Sequence, residues 1–285
     1  PSSAASDVYK RQGEILEYPE FDLFGYMITE PITNIRESPV KISPAISMTP
    51  YFFDKQFSAN IGLARRLMVK EGDMSPNPIH IEEHEAFYVY SIVIDVDRIG
   101  KIECLMEGDP KLDEKRYEVI SLEDITKKSE KKGRKSEKSL RWVIYKFKDD
   151  DQIKDRIEKL IRTVLKLKRS IKGRAEDLSP VLLVVGIYKD TMYDTYKDRI
   201  ELVNFEREYV EEIEEKEENG KLVRVVRRRS TLSDKPEFII HGLKETPEEL
   251  DEEKVIEFIK SLFSSQETKR EVRVFYRPGV KVVLS

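Results

Sequence analysis

The side chains able to do chemistry in this 285-residue chain are few and scattered. There are three histidines, His80, His84 and His241. His80 and His84 stand four apart beside Glu82, Glu83 and Glu85, a spacing that on a helix would put two imidazoles on one face, as a metal pair requires. The run HIEEH lacks the His-Glu-x-x-His order that supplies two ligands and a general base, and no third ligand is evident, so no metal is assigned. Asp95 and Asp97 are strand carboxylates with no supporting motif for holding Mg²⁺. The single cysteine, Cys104, leaves no internal disulfide and no cysteine cluster for a metal. No GxxxxGK[ST], GxGxxG or GxSxG occurs. The chain therefore reads as a non-enzyme that needs no cofactor.

What remains is the chemistry of holding an anion. From Arg36 to Ser47, Ser38, Val40, Ile42 and Ile46 alternate with Lys41, Ser43, Ala45 and Ser47. A period of two with one apolar face predicts a half-buried strand. Pro39 and Pro44 cannot donate to a ladder, so the strand belongs at an edge or carries bulges. Its open face, small hydroxyls around Lys41, would let a polyanion backbone approach closely; an ordinary solvated strand face gives the same pattern. A short basic ladder, Arg65, Arg66 and Lys70, follows an aromatic cluster of Tyr51, Phe52, Phe53 and Phe57. Lys172-Gly173-Arg174 lies between a helix and a strand, where helix-end charge complementarity also accounts for it. Lys127–Lys138 has seven basic residues against two glutamates and reads as a solvated loop that adds nonspecifically to any nucleic-acid field.

These residues need elements to position them. Phe87–Asp97 is apolar on both faces and predicts a central strand; its Tyr88 and Tyr90 suit core packing as well as base stacking. Leu140–Phe147 alternates as a strand. Asp149–Asp151 supplies an N-cap, after which apolar residues from Ile153 to Ile171 recur at helical spacing until Gly173. Val181–Tyr188 predicts a buried strand. Strand, strand, helix, strand is the latter part of a β-α-β-β-α-β order, so the expected class is α+β with a ferredoxin-like, RRM-like core. Further on, Asn219-Gly220 predicts a hairpin whose acidic and basic arms pair. Thr246-Pro247-Glu248-Glu249 reads as a capping box opening a helix through Phe263, and Pro278-Gly279 as the turn of a closing hairpin.

Composition sets the bounds. Charged residues make up 37 % of the chain and the formal net charge is −4, against the basic balance usual for nucleic-acid binding. The charge is unevenly spread: Glu201–Glu218 and Glu245–Glu257 are acidic, Lys127–Lys138 and Arg224–Arg229 basic. A local positive track, which the sum does not test, is what binding needs. No apolar run approaches the roughly 18–20 residues of a membrane span, and the expected compartment is a reducing cytoplasm.

DLFGYM at Asp22–Met27, the strand RESPVKISPAIS at Arg36–Ser47, HEAFYVYSIVIDVDRIG at His84–Gly100 and RSIKGRAEDLSPVLLVVG at Arg169–Gly186 resemble, in this order, the CRISPR-associated DevR autoregulator family. That family is the Cas-seven backbone subunit of type I-B Cascade-like surveillance complexes. The resemblance implies a non-catalytic subunit that binds CRISPR guide RNA (crRNA) and lines up head to tail along it. It also implies contact with other Cascade subunits, with target DNA reached only through guide pairing and no membrane partner. It makes about residues 49–84 a thumb-like insertion and points to Arg36, Ser38, Lys41, Ser43, Ser47, Arg65, Arg66, Lys172 and Arg174 as RNA contacts. Residues 1–12, opening on Pro, read as an adaptor-like segment. Residues 13–190 read as an incomplete core, its first strand and helix missing, with a basic insertion at about 101–139. Residues 191–285 read as an elaboration of hairpin, helix and hairpin. Two alternatives stand beside this: a metal-dependent endoribonuclease, and a transcriptional regulator, for which no helix-turn-helix is readable.

Overall fold

The computed structural model describes residues 12–29, 33–50, 54–59, 78–83, 86–110, 112–125, 127–131, 134–138, 140–171, 174–189, 192–204, 208–218, 221–231, 236–264 and 270–285. It is an α+β structure of many small sheets and few helices. Two compact units interleave along the chain: the first is Pro1–Ser43, Ser91–Tyr193 and Leu250–Phe275, the second Pro44–Tyr90, Asp194–Glu249 and Tyr276–Ser285. Among the described residues no helix is long and apolar enough to cross a membrane.

The first unit is built on an antiparallel sheet in which Leu140–Phe147 lies between Tyr117–Asp124 and Lys101–Glu107. Period-two patterning turns Ile102, Cys104 and Met106 inward with Val143, Tyr145 and Phe147, and Ile15 and Leu16 close the same core. Each such side chain removed from water contributes about 1.5–3 kcal/mol before entropy is counted. Helix α1 is Pro19–Phe24 and helix α2 is Asp150–Leu165. Asp149 caps α2 as its sequence predicts, its carboxylate accepting from the Asp151 N–H at 2.9 Å. Ile157 of α2 is buried with Leu23, Val40 and Ile99.

Helix α2 stops at Leu165, short of the expected Ile171. Lys168–Ile171 instead pairs antiparallel with Arg174–Asp177, and the Leu178 N–H reaches the Leu167 carbonyl at 2.9 Å. Past Leu165 the sequence offers Lys166, Lys168 and Arg169 with little apolar surface to hold a further turn against the core. Helix α3, Glu252–Ser264, starts later than the Thr246 box predicts. Its cap is Asp251, whose carboxylate accepts from the N–H groups of Glu253 at 2.8 Å and Lys254 at 3.2 Å. Val255 and Phe258 of α3 pack with Leu165, Phe275 and, less deeply, Leu183 and Val185 of the strand Leu182–Tyr188.

In the second unit, Glu237–Ile240 lies between Ile200–Asn204, antiparallel, and Lys281–Leu284, parallel. Phe238 and Ile240 are buried there with Leu202, and Phe87 meets Phe238 edge to face at 5.9 Å. The expected closing hairpin does not form: Arg270–Tyr276 joins the sheet of Leu182–Tyr188, while Lys281–Leu284 joins Glu237–Ile240. The arms around Asn219-Gly220 do pair, Glu208–Glu218 with Lys221–Thr231, and the register sets Glu211, Glu212 and Glu215 opposite Arg228, Arg227 and Arg224. In the expected thumb region Asp54–Ala59 pairs with Pro78–Glu83, placing His80 opposite Phe57; residues 60–77 and His84 lie outside the described residues.

Candidate nucleic-acid interface

The strand proposed to meet an anion is Val40–Ile42, paired antiparallel with Ile92–Ile94 so that Lys41 stands opposite Val93. It has one neighbour, as the flanking prolines require of an edge. Phe87–Asp97 is not the central strand its pattern predicts. It is broken into Tyr88–Val89, Ile92–Ile94 and a 3₁₀ turn at Val96–Arg98, and its strands sit in two-stranded pairings. Its apolar residues are only half-buried, so two apolar faces signalled partial cover on both sides, not the middle of a sheet.

Both ends of Val40–Ile42 are tied down. The Asp95 N–H donates to the Pro39 carbonyl at 3.0 Å, and the Ser43 N–H to the Ser91 carbonyl at 2.9 Å. The Ser43 hydroxyl oxygen accepts from the Ser91 N–H at 2.9 Å. Ser38 donates its hydroxyl to the carbonyls of Leu23, at 3.0 Å, and Val40. In the second unit the Ser47 hydroxyl donates to the Thr49 carbonyl at 2.8 Å. These three hydroxyls thus fix backbone, and Lys41 is the exposed cation that the strand presents.

Arg36 faces inward. Its side chain is 7 % exposed, and Nη2 donates to Asp22 Oδ1 at 2.7 Å and to the Arg98 carbonyl at 2.7 Å. Further bonds run to the carbonyls of Asp22 and Lys101. Asp22 is fully buried in α1 and also accepts from the Gly100 N–H at 2.9 Å and from Arg156 Nη1 at 2.6 Å. Arg156 donates further to the Leu16 carbonyl and lies 4.8 Å over the Phe147 ring. Burial lowers the Arg36 pKa, while the Asp22 carboxylate pulls it back up. Two guanidiniums thus share one carboxylate, and the surplus positive charge is met by the carbonyls of Leu16, Asp22, Arg98 and Lys101.

Glycine closes the junction on both sides. Gly25 has φ 75°, and a Cβ there would collide with the Arg36 carbonyl oxygen. Gly100 has φ 72°, and a Cβ would come within 2.9 Å of Ile153 and Phe147.

Arg65, Arg66 and Lys172 lie outside the described residues, and of Arg174 the structure gives its backbone pairing with Ile171. Asp22 and Arg156 were not singled out by sequence. Arg156 did carry a signal: it occupies an apolar-stripe position between Ile153 and Leu160, where a charge demands a partner. Among the described residues no three of His, Cys, Asp or Glu are grouped to hold a metal ion.

The family described as CRISPR-associated negative auto-regulator DevR/Csa2 matches residues 4–214, well over half of the chain. The chain belongs to this family. It is therefore a CRISPR-associated protein. No curated protein and no solved structure matches the chain significantly. In this DevR/Csa2 chain, residues that carry the resemblance (Asp22, Gly25, Arg36 and Gly100) come from three separated segments and meet in one buried junction. That junction is framework: it fixes where Val40–Ser43 leaves the first unit's core.

Proposed function

We propose that this DevR/Csa2-family chain is a guide-RNA-binding backbone subunit of a Cascade-like complex, holding crRNA without cutting it. The observation that carries the reading is the family match over residues 4–214. The geometry supports it by presenting Lys41 on a strand whose two ends are locked by backbone and serine hydrogen bonds, a rigid site for a phosphate. Arg65, Arg66, Lys172 and Arg174 are proposed as further phosphate contacts, while Arg36, Ser38, Ser43 and Ser47 hold the backbone around the strand. On this reading the core is ferredoxin-like, and copies line up head to tail, with about residues 49–84 reaching the neighbour. The guide's base edges stay free to pair with target DNA, so pairing supplies sequence specificity. Cleavage comes from other subunits.

The test is binding of the full chain to unrelated RNA sequences of equal length, with Lys41→Glu beside it. Similar affinities for all sequences, a steep fall with salt and weaker binding by Lys41→Glu are expected. A flat salt response, strong preference among sequences, or Mg²⁺-dependent cutting by the purified protein would refute the proposal, the last in favour of a nuclease.

A further inference from the structure

The sheet built on Leu140–Phe147 has two edges, and the chain treats them differently. Lys101–Glu107 is closed by side chains along its outer side. The Asn34 amide donates to the Leu105 carbonyl at 2.9 Å and accepts from the Leu105 N–H at 2.7 Å, and Arg36 Nη1 donates to the Lys101 carbonyl. At the opposite edge, Tyr117–Asp124 pairs with Leu140–Phe147 alone among the described residues.

Hydrogen-bonded and unbonded pairs alternate along an antiparallel ladder. The Lys148 N–H bonds to the Arg116 carbonyl at 3.0 Å, and the Ile125 N–H to the Leu140 carbonyl at 2.8 Å. Counted inward from these anchors, across the register shift between Val119 and Ser121, the backbone groups of Val119 and Leu122 point away from Leu140–Phe147. The same shift puts their side chains on one side of the strand. They oppose Tyr145 and Val143, which are wholly buried, yet are themselves 45 % and 46 % exposed. On the other side Glu118, Ser121 and Glu123 oppose Lys146, Ile144 and Trp142. The strand Tyr117–Asp124 carries three acids and no base. Lys146 lies 3.5 Å from Glu118, while Glu123 has no cation partner among the described residues.

We propose that this edge takes up an extended segment of a partner protein as an added strand, apolar on one side and basic on the other. Such a strand continues the ladder at Val119 and Leu122, covers their side chains, and sets lysine or arginine beside Glu118 and Glu123. An exposed apolar edge is a liability that proteins blunt, as Asn34 and Arg36 blunt the opposite one. A second copy fits badly. Antiparallel pairing that sets Val119 against Leu122 of the other copy also sets Glu118 against its Glu123, and like charges directly opposite destabilise. A phosphate backbone is repelled by the same acids. The strand offers about 27 Å of edge, enough for a segment of about seven residues.

The experiment uses the full chain and a fluorescently labelled peptide of about seven residues that alternates lysine and valine, followed by anisotropy. A second probe has the same sequence with alternate amides N-methylated, which removes its ladder donors; a third alternates glutamate and valine. One variant combines Glu118→Lys with Glu123→Lys. A control of equal net charge combines Glu107→Lys with Glu257→Lys, both exposed and away from this edge. Far-UV circular dichroism checks that both variants keep the fold, and the N-methyl comparison tests the native chain alone. Saturable binding of the lysine–valine peptide is expected, at least tenfold weaker after N-methylation. The Glu118→Lys, Glu123→Lys variant is expected to lose at least fivefold and to prefer the glutamate–valine peptide, while the control stays within about twofold. No saturable binding below about 1 mM peptide would overturn the proposal. So would equal binding of the N-methylated probe, or equal losses in the two variants. Should the chain dimerise in sedimentation and the peptide disperse the dimer, the edge belongs to a second copy and the proposal falls.

Discussion

Asp22→Asn is the sharpest probe of the buried junction. The substitution keeps the side-chain shape but removes the carboxylate that Arg36 and Arg156 share. Two guanidiniums whose side chains are each 7 % exposed would be left facing an amide, whose NH₂ opposes one of them. Breaking a buried pair by removing one partner costs about 3–5 kcal/mol. With a urea dependence near 3 kcal/mol per molar, the midpoint should fall by about 1–1.7 M. Trp142, the chain's single tryptophan, lies in the first unit's sheet, so its fluorescence reports this unit's unfolding directly. Arg156→Met is the matched control. It leaves one cation facing one anion and puts an apolar chain beside Phe147, so about 1–2 kcal/mol is expected. A loss below about 1 kcal/mol for Asp22→Asn, or an equal loss for the two variants, would refute the junction's electrostatic role.

Three further outcomes follow from the same coordinates. Gly25→Ala should destabilise strongly, because positive φ and the Arg36 carbonyl both exclude a Cβ; Gly108→Ala, at φ 74° with open space around it, should cost only about 1 kcal/mol by the same urea titration. Burial pushes the Cys104 thiol up to about 12, so a disulfide thiol reagent at pH 8 should leave the native protein untouched and label it on unfolding. Because that pKa is raised from its ordinary 9.0, the linked stability is intact below pH 9 and is lost as pH climbs toward 12. Between α2 and α3, Arg162 binds Glu252 at Oε1, Glu253 at 2.7 Å and Glu158 at 2.9 Å. Hydrogen bonds from Lys260 and then Arg162 lower the Glu158 carboxyl, from Lys166 and then Arg162 the Glu252 carboxyl, and from Arg162 the Glu253 carboxyl, all below their ordinary 4.5. Their contribution is present above pH 4.5 and lost as pH falls through the lowered values, so the thermal-midpoint gap between the native chain and Arg162→Ala should close in acid.

Sequence reading succeeded where the information is local. Asp149 announces the start of α2, the Asn219-Gly220 signal announces the pairing of the arms on either side of it, and alternation marks Leu140–Phe147. It failed where two local signals compete or pairing is distant. Thr246 and Asp251 both precede the apolar stripe of α3, and Val255, Ile256 and Ile259 fit a helix started by either. Pro278-Gly279 is a sound turn signal, yet Lys281–Leu284 pairs with Glu237–Ile240 and Arg270–Tyr276 with Leu182–Tyr188, distant partners that no local rule contains. The pairing of Lys127–Lys131 with Arg134–Lys138 was hidden because the composition of the run speaks for a solvated loop. Of the candidate contacts, Lys41 is exposed on Val40–Ile42, but the expected apolar face holds only at Val40, since Ile42 and Ile46 are exposed as well. The burial of Arg36 depends on Asp22, Arg98 and Arg156, far from it in sequence.

The polypeptide passes between its two units five times, after Ser43, Tyr90, Tyr193, Glu249 and Phe275. Neither unit is therefore encoded by a continuous stretch. The first waits for Phe275 to fill its core, and the second waits for Lys281–Leu284 to complete its sheet. During synthesis the chain must be made through Phe275 before the first core can close and through Leu284 before the second sheet is complete, so until then it stays open to chaperones and proteases. A frameshift ahead of Phe275 is accordingly expected to abolish both units at once.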